Sequence, residues 1–236
     1  MKKLLRKNFV IGKNNLREIK HYAVIPARRD SVGIPFKNRK FFERKIDFLK
    51  KITFFNDIIV SSNDNLILNK CKKKNITFVK RSEKLSRANI SIKSVFIDII
   101  KKFKFSRNDY LWLFYIPLIY NSKLEIIKSK QIIENKKIDS LCGFINVKTH
   151  PYNAWSIKGN KLKKLHNNDF FRRQDLPKMY EHHHNICAFR SSFIDKLNSE
   201  LIGSFTYPFI LSEDTQNKII ELDTREDYKK YLKNVK

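Results

Sequence analysis

Cysteine is scarce in this chain and badly placed for cross-linking. Cys71, Cys142 and Cys187 are odd in number, far apart and free of any CxxC pairing. That excludes a disulfide-built secreted scaffold and points to reduced, buried thiols in a cytoplasmic protein. Long apolar runs are missing too, since no stretch approaches the roughly 18 residues a membrane-spanning helix needs. The first twenty residues, MKKLLRKNFVIGKNNLREIK, have neither the apolar core nor the small-residue cleavage site of a signal peptide, so 1–20 is expected to be a basic extension. No internal repeat or low-complexity block is present. Acidity is also short: 23 Asp+Glu stand against 50 Lys+Arg, a formal charge of +27. Such a balance favours anionic partners, whether nucleic acid, anionic lipid or phosphorylated small molecules. Much of the excess, however, is Lys scattered through a chain rich in Asn and Ile, a bias that accounts for the charge without any nucleic acid.

What is present argues for a folded globule. The 236 residues, 42% hydrophobic with 19 Phe, suffice for one good core and one main domain, expected over 21–236. Short apolar runs at Tyr22–Ile25, Asp57–Ser61, Ile76–Val79, Tyr110–Tyr115 and Leu141–Val147 read as strands. Helical spacing separates them at 41–52, after the Asn63-Asp64 cap, at 90–103 and at 124–133. This alternation predicts an α/β fold with a parallel, doubly wound sheet. From Thr149 the chain becomes turn-rich, and 149–190 is expected to form a small inserted subdomain. A short helix at 192–197, a strand over 218–223 and a final helix capped by Thr224 and Asp227 complete the expected elements.

Two stretches carry candidate chemistry. After the first strand comes a loop holding Arg28, Arg29, Ser31, Gly33, Lys37 and Asn38. A glycine, a hydroxyl and several cations at the carboxyl end of a strand suit a phosphate cradle, and equally suit an ordinary basic surface loop. Near the end, Glu221 and Asp223 stand two residues apart, so in an extended chain both carboxylates leave one face. That face is either a Mg²⁺ site or a solvated sheet edge. Between them, Arg172 and Arg173 are paired cations able to clamp a carboxylate or phosphate. His182, His183 and His184 are consecutive, so their imidazoles point different ways, and no Cys or further His sits at zinc-type spacing. One imidazole lining a pocket is the expectation there. A nucleophilic Cys187 has no demonstrable Cys-His-Asn arrangement behind it.

Taken in order, the segments IPARRDSVGIPFKN, IIVSSND, RSEKL, LFYIPLIY, RRQDLPKMY and IELDTRED resemble the motifs of the CMP-sialic acid synthetase (acylneuraminate cytidylyltransferase) family, over residues 22 to 230. The resemblance implies a Rossmann-like nucleotidyltransferase with a mostly parallel sheet and a small inserted dimerisation subdomain. It implies CTP and a nonulosonic acid sugar as substrates, Mg²⁺ as cofactor, pyrophosphate release, a homodimer, and no nucleic-acid partner. By the same resemblance Arg28, Lys37 and Asp223 are catalytic. Ala27, Arg28, Arg29, Ser31, Gly33, Lys37, Asn38 and Arg81 are nucleotide-binding. Arg172, Arg173, Gln174, Tyr180 and His183 are acceptor-binding, and Glu221 and Asp223 hold the metal. The sequence departs from the family at Val32, where a Lys is usual, and at Arg29-Asp30, where a Gly-Gly pair is usual. It departs again at Leu113, Tyr115-Ile116 and Ile119, where polar residues are usual, a change expected to remove base- and sugar-facing contacts. A divergent member with an unusual acceptor is expected; a nucleotide-binding paralogue without turnover and a basic binding module are the competing readings.

Overall fold

Strand β1 (His21–Pro26) lies inside the sheet, as its apolar run requires, with β2 (Asp57–Ser62) on one side and β4 (Tyr110–Leu113) on the other, both parallel. β3 (Thr77–Lys80) extends the parallel ladder beyond β2. The computed structural model describes residues 18–30, 33–167 and 169–234, so most of the expected N-terminal extension lies outside the described residues. Within them a seven-stranded sheet runs β3-β2-β1-β4-β8-β5-β9, where β5 is Ser140–Asn146, β8 is Tyr180–Arg190 and β9 is Tyr207–Ile210. β8 is antiparallel to both neighbours, and β5 and β9 are parallel to each other. The sheet is therefore mostly parallel and Rossmann-like.

Alternate residues of the central strand feed two cores. Ala23 and Ile25 pack with α1 (Lys37–Lys50), α2 (Asn65–Lys73), α4 (Lys123–Lys136) and α6 (Arg225–Asn234). Val24, on the opposite face, packs with Val95, Phe96 and Ile99 of α3 (Ile92–Lys102). Helix starts follow their caps: Asp64, Ser91 and Ser122 each accept a backbone N–H of the first turn. α5 (Glu213–Lys218), capped by Ser212, and β9 are elements the sequence reading did not anticipate. The segment expected as a helix at 192–197 is a 3₁₀ turn at Ser191–Lys196.

The expected 149–190 subdomain is smaller than predicted. β6 (Trp155–Lys158) and β7 (Lys161–Lys164) form a separate antiparallel hairpin. Residues from Tyr180 onward belong instead to the main sheet, because Ile186, Cys187, Ala188 and Phe189 are apolar and need burial on both faces of β8.

One buried histidine makes stability acid-sensitive. His21 is 2% exposed and accepts the Trp112 indole N–H on Nδ1 at 3.0 Å. Burial lowers its pKa to about 4, from 6.5. Between those values the unfolded chain binds a proton that the folded chain refuses, so stability falls as pH drops through that window. The expected loss is about 3 kcal/mol from pH 7 to pH 4. Urea denaturation across that range measures it, and a His21→Gln chain should show a flatter profile.

Candidate active site

The loops leaving the carboxyl ends of the parallel strands enclose a cleft of about 300 Å³. Arg28 enters it after β1, Arg81 and Arg87 after β3, and Tyr115 and Pro117 after β4. The first turn of α1 adds Lys37 and Asn38, and the closing segment adds Glu221 and Asp223. Arg28, Lys37, Asn38, Arg81, Glu221 and Asp223, spread over almost two hundred positions, are thus gathered in one place.

Backbone contacts tie the opening loop to the closing segment. A Cβ placed on Gly33 would fall on the Asp223 carbonyl oxygen and 2.9 Å from its carbon, so only glycine allows this approach. Lys37 Nζ donates to Asp223 Oδ1 at 2.7 Å and to the Leu222 carbonyl at 3.1 Å. Asn38, whose side chain is buried, donates to the Arg28 carbonyl at 2.8 Å and so shapes the loop that presents Arg28. Ala27 is wholly buried; its N–H and C=O bond to Ser61 and Ser62 of β2, and its methyl group does not reach the cleft. Ser31 and Val32 lie outside the described residues.

The segment 218–223, expected as a strand, forms none. Lys218 ends α5, and only Glu221 forms a bridge, with Leu118. Pro117 lacks the N–H that a longer ladder needs. Two bonds, Ile119 N–H to Ile220 O at 2.9 Å and Leu222 N–H to Pro117 O at 3.2 Å, still hold the segment extended. Leu222 is buried between the two carboxylates, so both face the cleft as the two-residue spacing predicts. Thr224 and Asp227 then exchange the capping-box bonds, Asp227 N–H to Thr224 Oγ1 at 3.1 Å and Thr224 N–H to Asp227 Oδ2 at 2.8 Å.

Like charges stand close together in the cleft. Burial, then the neighbouring charge of Asp223, raises the pKa of Glu221. Two carboxylates that repel each other form an oxygen donor set suited to a hard divalent cation such as Mg²⁺. On the other side, burial and the nearby Arg28 lower the pKa of Arg81 to about 10, which leaves it charged at neutral pH. Arg81 donates to the Ser61 carbonyl at 3.1 Å, and its buried Nε has no partner among the described residues. Two crowded guanidiniums with a spare donor are complementary to a polyanion.

Arg29 is placed differently from the expectation. Its guanidinium lies 3.2 Å from Asp30 and 3.7 Å from Glu83, and it is not among the residues lining the cleft. Local carboxylates hold it, so it does not replace a phosphate-facing charge. On the acceptor side, Arg172 forks onto Asp175 at 2.7 and 2.9 Å. Arg173 and Gln174 occupy an exposed 3₁₀ turn capped by Arg172, outside the cleft, and Tyr180 opens β8 on the surface. His183 does reach the acidic segment, with Nε2 3.9 Å from Glu221 Oε2. Its Nδ1 accepts the Asn185 N–H at 3.2 Å, and burial brings its pKa to about 4, so the imidazole is neutral.

The apolar substitutions at the end of β4 and after it also read differently in place. Leu113, Ile116 and Ile119 are buried in the cores, and Tyr115 is the one of the four that lines the cleft. Sequence reading missed Arg87, Ser91 and Glu200 in the cleft wall, although Ser91 is a helix cap beside the RSEKL segment. It also missed Lys45, a lysine buried in α1 whose ammonium bonds to the Leu118 carbonyl at 2.6 Å and to Asn121 Oδ1. Burial lowers the Lys45 pKa to about 7, and the residue props the Leu118 bridge from beneath.

Cations and paired carboxylates at the carboxyl edge of a Rossmann-like sheet are the arrangement a nucleotide-binding site needs. A structure of CMP:2-keto-3-deoxy-manno-octonic acid synthetase complexed with CTP shares this fold at TM-score 0.62 and 12% identity, covering 90% of this chain and 96% of that one. A Francisella tularensis 2-C-methyl-D-erythritol 4-phosphate cytidylyltransferase matches at TM-score 0.57 and 16% identity, over 90% and 98%. The cytidylyltransferase family model matches residues 22–231, and the chain belongs to that family. An N-acylneuraminate cytidylyltransferase of Streptococcus agalactiae serotype III (strain NEM316) is 25% identical over 221 residues, 89% of this chain and 52% of the relative. The Post-translational flagellin modification protein B of Campylobacter coli is 28% identical over 109 residues, 46% of this chain and 45% of that protein. The chain spans about half the length of the curated relatives it matches. The resemblance read from the sequence is borne out as a divergent membership of the family.

Proposed function

We propose that the chain transfers CMP from CTP to the anomeric hydroxyl of a sialic-acid-like nonulosonic acid, releasing pyrophosphate. The observation that carries this reading is the meeting of Lys37 with Asp223, 186 positions apart in sequence and 2.7 Å apart in a cleft lined by Arg28 and Arg81. In this reading Arg28, Lys37 and Arg81 hold the triphosphate, while Glu221 and Asp223 hold Mg²⁺. Mg²⁺, when bound, neutralises charge on the phosphate oxygens. Asn38 and Gly33 fix the loop so that the cations are in place before the substrate arrives, and such transfer is mostly positioning and charge neutralisation. The sugar hydroxyl attacks the α-phosphorus and gives its proton to solvent, the bond to the α,β-bridging oxygen breaks, and pyrophosphate leaves. His183, with its proton on Nε2, faces Glu221 and serves as a neutral hydrogen-bonding group for the acceptor.

The remaining acceptor residues act across a homodimer in this proposal. Arg172, Arg173 and Gln174 stand outside their own cleft, next to a hairpin that exposes Trp155, Ile157 and Leu162, with Phe171 91% exposed. A second copy covering those side chains would bring the arginines to its own site. Buried, unpaired cysteines accord with a cytoplasmic setting in surface-sugar synthesis. Among the described residues no helix is long and apolar enough to cross a membrane.

Purified protein given CTP, Mg²⁺ and a panel of sialic, legionaminic, pseudaminic and Kdo-type acids is expected to release pyrophosphate with at least one of them. Failure with every acid, together with no CTP binding, removes the proposal. CTP binding without turnover would favour the paralogue reading.

A further inference from the structure

Strand β8 pairs with β5 in two registers. Cys187 stands opposite Cys142, but the next residue of β5, Gly143, is opposite His183, so residues 184–186 have no counterpart. This wide bulge is held in place from the next loop. Asn185, fully buried, donates to the Tyr120 carbonyl at 2.7 Å, and its own carbonyl accepts from Asn121 at 3.1 Å. The bulge brings His184 to the cysteine pair: both thiol sulfurs and a ring nitrogen of His184 lie within 4.8 Å of one another.

The imidazole is also set in a ligand's tautomer. His184 Nε2 is 2.9 Å from the Glu200 carbonyl oxygen, which can only accept, so Nε2 carries the proton and Nδ1 keeps its lone pair. An N–H anchored on a backbone carbonyl is the usual support of a metal-binding histidine. On the open side, His182, His184 and Glu200 form a second trio within the same 4.8 Å limit.

We propose that Cys142, Cys187 and His184 bind a thiophilic divalent cation, Zn²⁺ by ligand preference, with the fourth position left to water. Sulfur at about 2.3 Å and nitrogen at about 2.0 Å around a tetrahedral ion separate neighbouring ligands by under about 4 Å. The present ligand atoms, within 4.8 Å of one another, draw together to that size on binding. Binding converts the two thiols to thiolates and releases two protons to solvent. Without the cation, the contact with Cys142 and burial keep Cys187 strongly protonated and inert. The site is chemically separate from Glu221 and Asp223, whose oxygens suit a hard ion. Tyr115, edge-on to His184 at 5.6 Å, and Glu200 both line the cleft, so the cation would brace that wall. Sequence spacing hides the cluster, because Cys142 lies on another strand.

The test uses the full chain, kept reduced, stripped with a chelator and titrated with Co²⁺ as a spectroscopic probe. One equivalent per chain is expected to give thiolate-to-cobalt charge-transfer absorption and the intense visible bands of a tetrahedral ion, both discharged by Zn²⁺. His184→Ala, a change at the rim of the core, removes a ligand and should weaken Zn²⁺ binding by at least about a hundredfold, the upper end of what losing an outer partner costs. A Cys142→Ser, Cys187→Ser chain should lose the charge-transfer band; its circular dichroism reports whether it folds, and His184→Ala carries the test if it does not. Asp223→Asn should leave the cobalt spectrum unchanged, which separates this site from the oxygen site. No charge-transfer band at one equivalent, or a band that persists in His184→Ala at unchanged affinity, overturns the proposal.

Discussion

An Asp223→Asn chain is expected to keep its fold and lose about a thousandfold in turnover. Asparagine retains the volume and the backbone contacts that hold the segment: the Leu222 carbonyl still accepts from Lys37, and Asp227 still accepts from the backbone of residues 223 and 224. What disappears is one negative charge, and with it the partner of the Lys37 ammonium and half of the proposed oxygen donor set. The Asp223 side chain is 61% exposed, so its ion pair contributes only about 0–1 kcal/mol to stability. Stability and catalysis should therefore separate cleanly. Pyrophosphate release under single turnover and urea denaturation of the same preparation measure both, and a turnover within tenfold of the unaltered chain would remove Asp223 from the machinery.

Gly33→Ala should cost about a hundredfold in kcat/KM through a single methyl group. The atoms in its way are the carbonyl oxygen and carbon of Asp223, with the Thr224 Cα at 3.5 Å, and none of these is the movable end of a side chain. Either the opening loop or the acidic segment must retreat, which separates Lys37 from Asp223 and shifts Arg28 relative to the acidic segment. A displacement of about 1 Å is enough for a loss of that size. Overpacking adds about 1–3 kcal/mol of destabilisation. Thermal unfolding and steady-state kinetics together distinguish the two effects. A variant that unfolds earlier yet keeps its kcat/KM would show that the loop's approach to Asp223 is structural only.

The parts of the fold that announced themselves in the sequence were those with one-dimensional signals. β1, β2 and β4 each carry a compact apolar run, and Asp64 and Thr224 precede their helices as capping residues should. The position of β8 had no such signal, because sequence order says nothing about which gap in a sheet a returning strand will fill. The acidic pair was read through the wrong element and still correctly oriented, since an extended segment with one bridge alternates its side chains as a strand does. Arg29 misled because its charge is visible in sequence while its carboxylate partners, Asp30 and Glu83, are not visible as partners. Leu113, Ile116 and Ile119 misled in the opposite sense: a replaced polar residue looks like a lost contact until its side chain is found pointing into a core.

β8 also governs the order in which the chain can be completed. The ladder β3-β2-β1-β4 and the pair β5-β9 share no strand contact, and β8 is the seam between them. On a ribosome, β4 and one side of β5 therefore wait with open hydrogen-bonding edges until the hairpin has been made and residues 180–190 have emerged. Open apolar edges recruit other chains. Slow emergence or a weakened seam should therefore show itself as aggregation of nascent chains, before any loss of catalysis in the molecules that finish.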